Sequence, residues 1–349
     1  MGNATKAFAR GWHCLGLAKP FSDGEPHRVD MFGTRAVVFQ GTDGKINCLE
    51  AWCPHMGADL CLGQVKETAI VCKFHNWHWE GDGKCSHVPY AKRKPAKASV
   101  RSWPTQVVNN MLFIWNDEDG LGPEPECEIP TIPQCQADDW SDWAVSDWVI
   151  DARCHEVIDN IADMAHFIPV HATTSVSYFQ NLYEGHLATQ VMVSGYKGPA
   201  GNAEFQTTAT YYGPAYQITK MTGALNGLML DMVLMNAHVP ISHNQFRLRF
   251  AMMMKHFPGV PENQNEMMIK NFVQMNTQSF AADAQIWNNK QWMESPMLCD
   301  GDGPIAFNRR WYEQFYSPRG ASQFRPGDRK VISTRDEHAS PPPVEHLSL

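Results

Sequence analysis

Cys53-Pro54-His55, a gap of sixteen residues, then Cys72-Lys73-Phe74-His75: this stretch decides how the chain is read. A Cys and a His two apart, then a Cys and a His three apart, bring two thiolates and two imidazoles within reach of one centre. Two His in place of two Cys on one iron of a [2Fe–2S] cluster define a Rieske site, with a potential above that of an all-Cys cluster. A Cys₂His₂ zinc site would use the same four residue types, but zinc spacings usually pair Cys with Cys and His with His. Here each half supplies one of each, so Cys53, His55, Cys72 and His75 are read as cluster ligands.

Outward from that stretch, residues 10–118 read as short strands broken by turns. Ala36 to Phe39 and Ile46 to Leu49 flank Thr42-Asp43-Gly44, a hairpin signal. Ser99 to Trp103 and Met111 to Trp115 are expected to pair around Asn109-Asn110. The implied unit is a small all-β domain over residues 1–118. Residues 117–133 mix acidic residues with Pro123, Pro125, Pro130 and Pro133, as a linker does. The second domain, 119–349, carries the runs Gln206 to Tyr212, Met229 to His238 and Phe246 to Lys255. A helix is expected from Val157 to Phe167, ended by Pro169, and a longer one from Pro261 to about Met293. Strands with a long late helix make this domain α+β. The tail from about 320 to 349 is poor in apolar residues and reads as a surface arm or disordered.

Bulk properties narrow the function. At 349 residues the chain has room for two cores. A net charge of −8 argues against a nucleic-acid partner. No run of eighteen apolar residues signals a membrane span, and Met1-Gly2 with Ala4 and Thr5 matches a myristoylation pattern only by chance. Ten cysteines are too sparse for a disulfide scaffold. With two assigned to the cluster, the rest read as reduced thiols, so a cytoplasmic location is expected.

A second constellation lies at Asn160-Ile161-Ala162-Asp163-Met164-Ala165-His166, with His171 five residues on. Spaced three apart, Asn160, Asp163 and His166 would share one face of a helix. A polar stripe among Ile158, Ile161, Met164 and Phe167 needs a reason to face inward. Two His plus a carboxylate form the facial triad of non-haem Fe(II) oxygenases; satisfied core histidines are the alternative. Asp283 is the expected carboxylate: it stands three after Phe280 and four before Trp287, on their inward face, and an inward Asp calls for a cation. Glu294, Asp300 and Asp302 follow the helix among Pro and Gly and read as surface.

With both constellations in place, the chain resembles the Rieske non-haem iron oxygenases over nearly its whole length. Within them it is most similar to the oxygenase components of 3-ketosteroid 9α-hydroxylases. The resemblance rests on Gly11-Trp12-His13-Cys14-Leu15-Gly16-Leu17, Gly81-Asp82-Gly83-Lys84-Cys85, Pro89-Tyr90-Ala91-Lys92-Arg93 and Asp159-Asn160 through Phe167. It continues at Glu184-Gly185-His186, Tyr211-Tyr212-Gly213-Pro214 and Asp283 with Ile286 to Lys290. It implies a Rieske domain joined to a helix-grip (START-like) catalytic domain, a homotrimer, and a separate NADH-dependent flavin and iron–sulfur reductase. It implies that Asp163 bridges the two centres across a subunit boundary and that Asn160 stands near the iron without ligating it. The implied reaction uses O₂ to hydroxylate a steroid, a 3-ketosteroid at C9, in steroid metabolism and lipid degradation. A desaturase or dioxygenase acting on another sterol or a polycyclic aromatic, or a Rieske electron carrier, remains open.

Two departures from the family pattern stand out. Ala172 to Ser177 are smaller and more polar than the usual aromatic run there, and Asn76 and His78 occupy places where a charged pair is common. Apolar residues between Leu225 and Met235 predict a pocket for a bulky apolar substrate, about half of them facing it, because strand side chains alternate. Lys92, Arg93, Lys94 and Lys97 form either a docking patch for an acidic electron donor or a solvated loop.

Overall fold

The computed structural model describes residues 8–349 apart from 172, 199, 200 and 226; Met1-Gly2 and Ala172 lie outside the described residues. Two compact units emerge. One runs to Glu128 and adds Val239–His243; the other holds Ile129–His238 and Asn244–Leu349.

The first unit is built from short strands: β1 (Gly11–Leu17), β2 (His27–Met31), β3 (Thr34–Gln40), β4 (Ile46–Glu50), β5 (Gln64–Lys66), β6 (Ala69–Val71), β7 (His78–Glu80), β8 (Cys85–His87), β9 (Ser102–Trp103), β10 (Thr105–Val108) and β11 (Met111–Asn116). They form sheets in the orders β1-β11-β10, β2-β3-β4-β9 and β5-β6-β7-β8. Strand β3 is apolar on both sides because both are covered. Ala36 and Val38 enter one core with Trp103 and Ile114, while Val37 and Phe39 enter another with Ile70, Trp79, Cys53 and Cys72. Asn109 and Asn110 both have positive φ, +56° and +63°. That is the turn of a two-residue hairpin, so the partner of β11 must directly precede it. Thr105–Val108 therefore pairs with β11, and the expected pairing of Ser99 to Trp103 is corrected: Ser102–Trp103 joins β4 instead. Pro104, with no N–H to give a ladder, separates the two segments.

The second unit comprises β12 (Ala144–Ile150), α1 (His155–Asp159), α2 (Phe167–His171), β13 (Thr173–Glu184), β14 (Leu187–Gly198), β15 (Gly201–Tyr212), β16 (Tyr216–Leu225), β17 (Leu228–Ser242), β18 (Gln245–Met254), α3 (Glu262–Trp287), α4 (Ile305–Tyr312) and β19 (Lys330–Asp336). One eight-stranded sheet runs β12-β18-β17-β16-β15-β14-β13-β19. Helix α3 lies against it, with Phe280 centred 6.0 Å from Trp148 on β12 and 4.9 Å from Phe250 on β18. The fold class is α+β.

Two expectations are corrected here. The tail is not merely a surface arm: residues 330–336 pair with β13, whose outer N–H and C=O groups would otherwise be unbonded. The helix expected from Val157 to Phe167 stops at Asp159 and resumes only at Phe167. Asp163 accepts bonds from the N–H groups of Ala165 (3.0 Å) and His166 (3.3 Å), which holds a turn in place of a helix. Pro169 sits inside α2 rather than ending a helix, tolerated because first-turn N–H groups have no intrahelical partner.

Candidate metal centres

The two cluster loops are copies of one design. Cys53 donates its N–H to Ala58 and accepts at its carbonyl from Gly57; Cys72 donates to Trp77 and accepts from Asn76. Gly57 (φ +77°) and Asn76 (φ +56°) thus hold the same left-handed corner, four residues after each Cys. Asn tolerates that conformation better than most residues, which accounts for Asn76. His78 lies on β7, half-buried, its ring 5.0 Å from that of His87.

Cys53 and Cys72 are buried and their thiols are within hydrogen-bonding contact. His55 and His75, half-buried, meet edge to face with centroids 4.6 Å apart. Paired thiols and paired imidazoles are the donor set of a Rieske cluster, two Cys for one iron and two His for the other. His75 Nδ1 is enclosed and has no hydrogen-bond partner among the described residues, as an atom reserved for a metal would be. Trp77 stacks on His55 at 4.6 Å and 12°, and its indole N–H donates to Tyr90 Oη at 2.7 Å. Neither role was legible in the sequence. Lys94 Nζ donates to the carbonyl of Cys85, whereas Lys92, Arg93 and Lys97 are exposed.

In the second unit His166, His171 and Asp283 come together, one potential ligand atom from each within 4.8 Å of the others. His166 Nδ1 is 2.8 Å from the Asp163 carbonyl, which only accepts, so the proton sits on Nδ1 and Nε2 is left as a lone pair. Asn160 Nδ2 donates to that Nε2 at 3.2 Å. His171 Nδ1 lies 2.9 Å from Ser279 Oγ, turning its Nε2 toward Asp283 Oδ2 at 3.2 Å. Asp283 is 5 % exposed and sits one turn before the C-terminal end of α3, where a bare buried carboxylate would be costly. Two imidazole nitrogens and one carboxylate on one side of a point fit Fe(II) and leave the other side open. Asp163 faces the ring of His166, Oδ2 to Nδ1 3.6 Å. Burial raises its carboxyl, but bonds from His166 and Ala165 outweigh this and hold it below the usual range.

His171, Asp283 and Asn160 open onto a cavity of about 550 Å³ between α3 and the sheet. Of the run expected to supply its apolar wall, Leu225, Met232 and Leu234 line it; Leu230, Val233 and Met235 are packed in the sheet, and Met229 is exposed.

A cluster-bearing β unit followed by an α+β unit with a His-His-Asp centre is the plan of a Rieske non-haem iron oxygenase. Residues 11–120 match the Rieske [2Fe-2S] domain family and residues 114–316 the 3-ketosteroid 9α-hydroxylase C-terminal domain family. A probable 3-ketosteroid-9-alpha-monooxygenase oxygenase component of Rhodococcus rhodochrous is 44% identical over 327 residues, covering 90% of this chain and 82% of the relative. A 3-ketosteroid-9-alpha-monooxygenase oxygenase component from the same organism is 42% identical over 322 residues, again 90% and 82%. A dicamba monooxygenase structure superposes with a TM-score of 0.74 over 90% of this chain and 99% of its own, at 16% identity, a likeness of fold alone. The chain belongs to the 3-ketosteroid 9α-hydroxylase oxygenase family.

Proposed function

We propose that the protein hydroxylates a 3-ketosteroid at C9, as the oxygenase partner of a separate NADH-dependent reductase. The observation that carries this reading is the meeting of His166, His171 and Asp283 at a cavity large enough for a fused-ring substrate, in a chain of this family. Iron held by His166, His171 and Asp283 and a [2Fe–2S] cluster held by Cys53, His55, Cys72 and His75 would supply O₂ reduction, one oxygen atom entering a C–H bond and the other leaving as water, with two electrons from NADH.

This chain's residues do the rest. Phe167, Met192, Met221 and Phe250 shape an apolar wall that excludes water. Asn160 covers His166 Nε2 and must swing aside when a metal takes that lone pair. Asp163, with its charge held and its Oδ2 facing the His166 ring, serves as relay to the cluster of a neighbouring subunit in a homotrimer. Asp163→Asn should keep both metal centres yet leave a pre-reduced cluster unreacted in a single turnover with O₂; oxidation at the wild-type rate removes Asp163 from the path. Among the described residues no helix is long and apolar enough to cross a membrane and the cysteines are free thiols; the latter supports a reducing, cytoplasmic setting.

Turnover of a panel of 3-ketosteroids with a matched reductase and mass analysis of products tests the reading. Mono-oxygenated product from at least one, with loss of a deuterium label placed at C9, is expected. Hydroxylation elsewhere, or none across the panel, overturns it.

A further inference from the structure

Trp79 stands on β7 opposite Ile70 of β6, and the ladder continues one step further, with Cys72 donating its N–H to the carbonyl of Trp77. Side chains two apart along a strand share a face. Ile70, Cys72, Trp77 and Trp79 therefore point the same way, into the core that also holds Cys53, while Val71 and His78 take the opposite face. Trp79 is 0 % exposed, and its ring packs on that of Trp77 at 5.8 Å and 27°.

An indole has one polar atom, Nε1–H, and it can only donate. Trp77 gives its N–H to Tyr90 Oη at 2.7 Å. The N–H of Trp79 is enclosed and has no well-aligned acceptor among the described residues. Buried donors are almost always bonded, and an unbonded one is a standing cost. The Cys53 sulfur lies within its hydrogen-bonding reach. A neutral thiol accepts weakly, whereas a charged acceptor makes a shorter and stronger bond. The burial that makes this N–H costly beside a thiol makes it effective beside an iron-bound thiolate.

We propose that Trp79 is a positioning residue for electron transfer: its indole N–H donates to the Cys53 sulfur and raises the reduction potential of the cluster that Cys53 holds. This goes beyond the hydroxylation reading and rests only on Cys53 being a cluster ligand. Reduction adds one electron, and the sulfurs carry part of the added charge. A donor aimed at one of them is bonded more tightly in the reduced form, so reduction is favoured. The proton stays on the indole throughout, and no other group has to gain or lose one. A higher potential lets a reductase fill the cluster more easily and tempers its delivery of electrons to the iron.

The test is a redox titration of the whole enzyme, followed by cluster absorption, in wild type, Trp79→Phe and Trp115→Phe. Phenylalanine keeps an aromatic ring and lacks the N–H. Trp79→Phe should shift the equilibrium about ten-fold against reduction, the size of one hydrogen bond to a charged acceptor, which is a potential about 59 mV lower for one electron. Trp115 is also a buried indole with an unbonded N–H, but it lies outside the core around Cys53. Trp115→Phe should leave the potential unmoved, as a merely structural Trp79 would. An unchanged potential in Trp79→Phe, or an equal drop in Trp115→Phe, overturns the proposal. If Trp79→Phe holds no cluster, wild type grown on tryptophan labelled with ¹⁵N in the indole decides. Pulsed EPR of its dithionite-reduced cluster should show a ¹⁵N coupling that survives in Trp77→Phe; no coupling, or one lost with Trp77, overturns the proposal. Cys53→Ala should abolish the cluster absorption. A cluster that survives that change overturns the ligand assignment itself, whereas an unmoved potential in Trp79→Phe overturns only the part given to Trp79.

Discussion

Ser279 stands one helical turn before Asp283 on α3, so the two side chains project to the same side. One touches His171 Nδ1 and the other His171 Nε2. Ser279 therefore orients a ring that stands with Asp283 in the candidate metal site, as the Asp163 carbonyl does for His166. Orienting partners of this kind typically contribute about ten- to a hundred-fold in metal affinity or activity. Ser279→Ala should weaken Fe(II) binding by roughly ten-fold while the cluster spectrum is unchanged, and Ser279→Thr should restore most of it. Asp283→Ala should go further, taking bound iron from about three per chain to about two. Iron titration with metal analysis separates these outcomes; full occupancy in Asp283→Ala removes it from the ligand set. Asp283 was legible in the sequence because a charge between Phe280 and Trp287 breaks the pattern of a buried helix face. Ser279 was not, since a serine within a long helix offends no rule; its role exists only through contact with a residue 108 positions away.

The short helix α1 was the least legible element, and the reason is local. Val157 to Phe167 contains no Pro or Gly, so propensity alone continues the helix, whereas Asp163 bonds backbone N–H groups ahead of it and breaks the run. What fixes α1 is tertiary. Glu156 Oε2 meets Lys290 Nζ at 2.5 Å, and Asp159 accepts from Arg309 through both Nε and Nη2. Burial raises the Asp159 carboxyl above its usual range even with Arg309 upon it. The pair therefore adds little net stability, but losing one partner strands a buried charge at a cost of about 3 kcal/mol. Arg309→Met should lower the thermal midpoint by several degrees and loosen Asn160, the residue next to Asp159, over the iron site. Asp159→Asn, which keeps an acceptor for the guanidinium, should lose less. Unfolding followed by circular dichroism checks this order, and equal losses in the two variants would refute it.

At the scale of the molecule, the two-domain plan followed from metal-ligand spacing, because ligands must stand where chemistry demands whatever the fold around them. The strand β19 did not, because edge pairing to β13 is a backbone matter and Val331, Ile332 and Thr334 are a short signal in a tail otherwise poor in apolar residues. Another property invisible in sequence is a link between acidity and stability at His155. Its ring is enclosed by aromatic neighbours: stacked on Tyr316 (5.3 Å, 17°), at right angles to Tyr312 (5.0 Å) and tilted against Trp292 (5.2 Å). Burial first, then the nearby charges of Arg153 and Arg309, bring its pKa from an ordinary 6.5 down to about 4. The folded protein thus keeps His155 neutral where the unfolded chain would protonate it. A depressed imidazole pKa means the unfolded state binds the extra proton between those two values, so stability rises with pH across that window. It is complete above pH 6.5 and lost as pH falls toward 4, by about 3 kcal/mol in all at 1.36 kcal/mol per unit. His155→Phe keeps the stacking and removes the titration. The difference in thermal midpoint between wild type and His155→Phe should therefore shift by several degrees in favour of the variant from pH 7 to pH 4.5. Taking a difference cancels any acid sensitivity of the cluster, which both proteins share. A difference that stays flat across that range would mean that water reaches the ring and that its titration is ordinary.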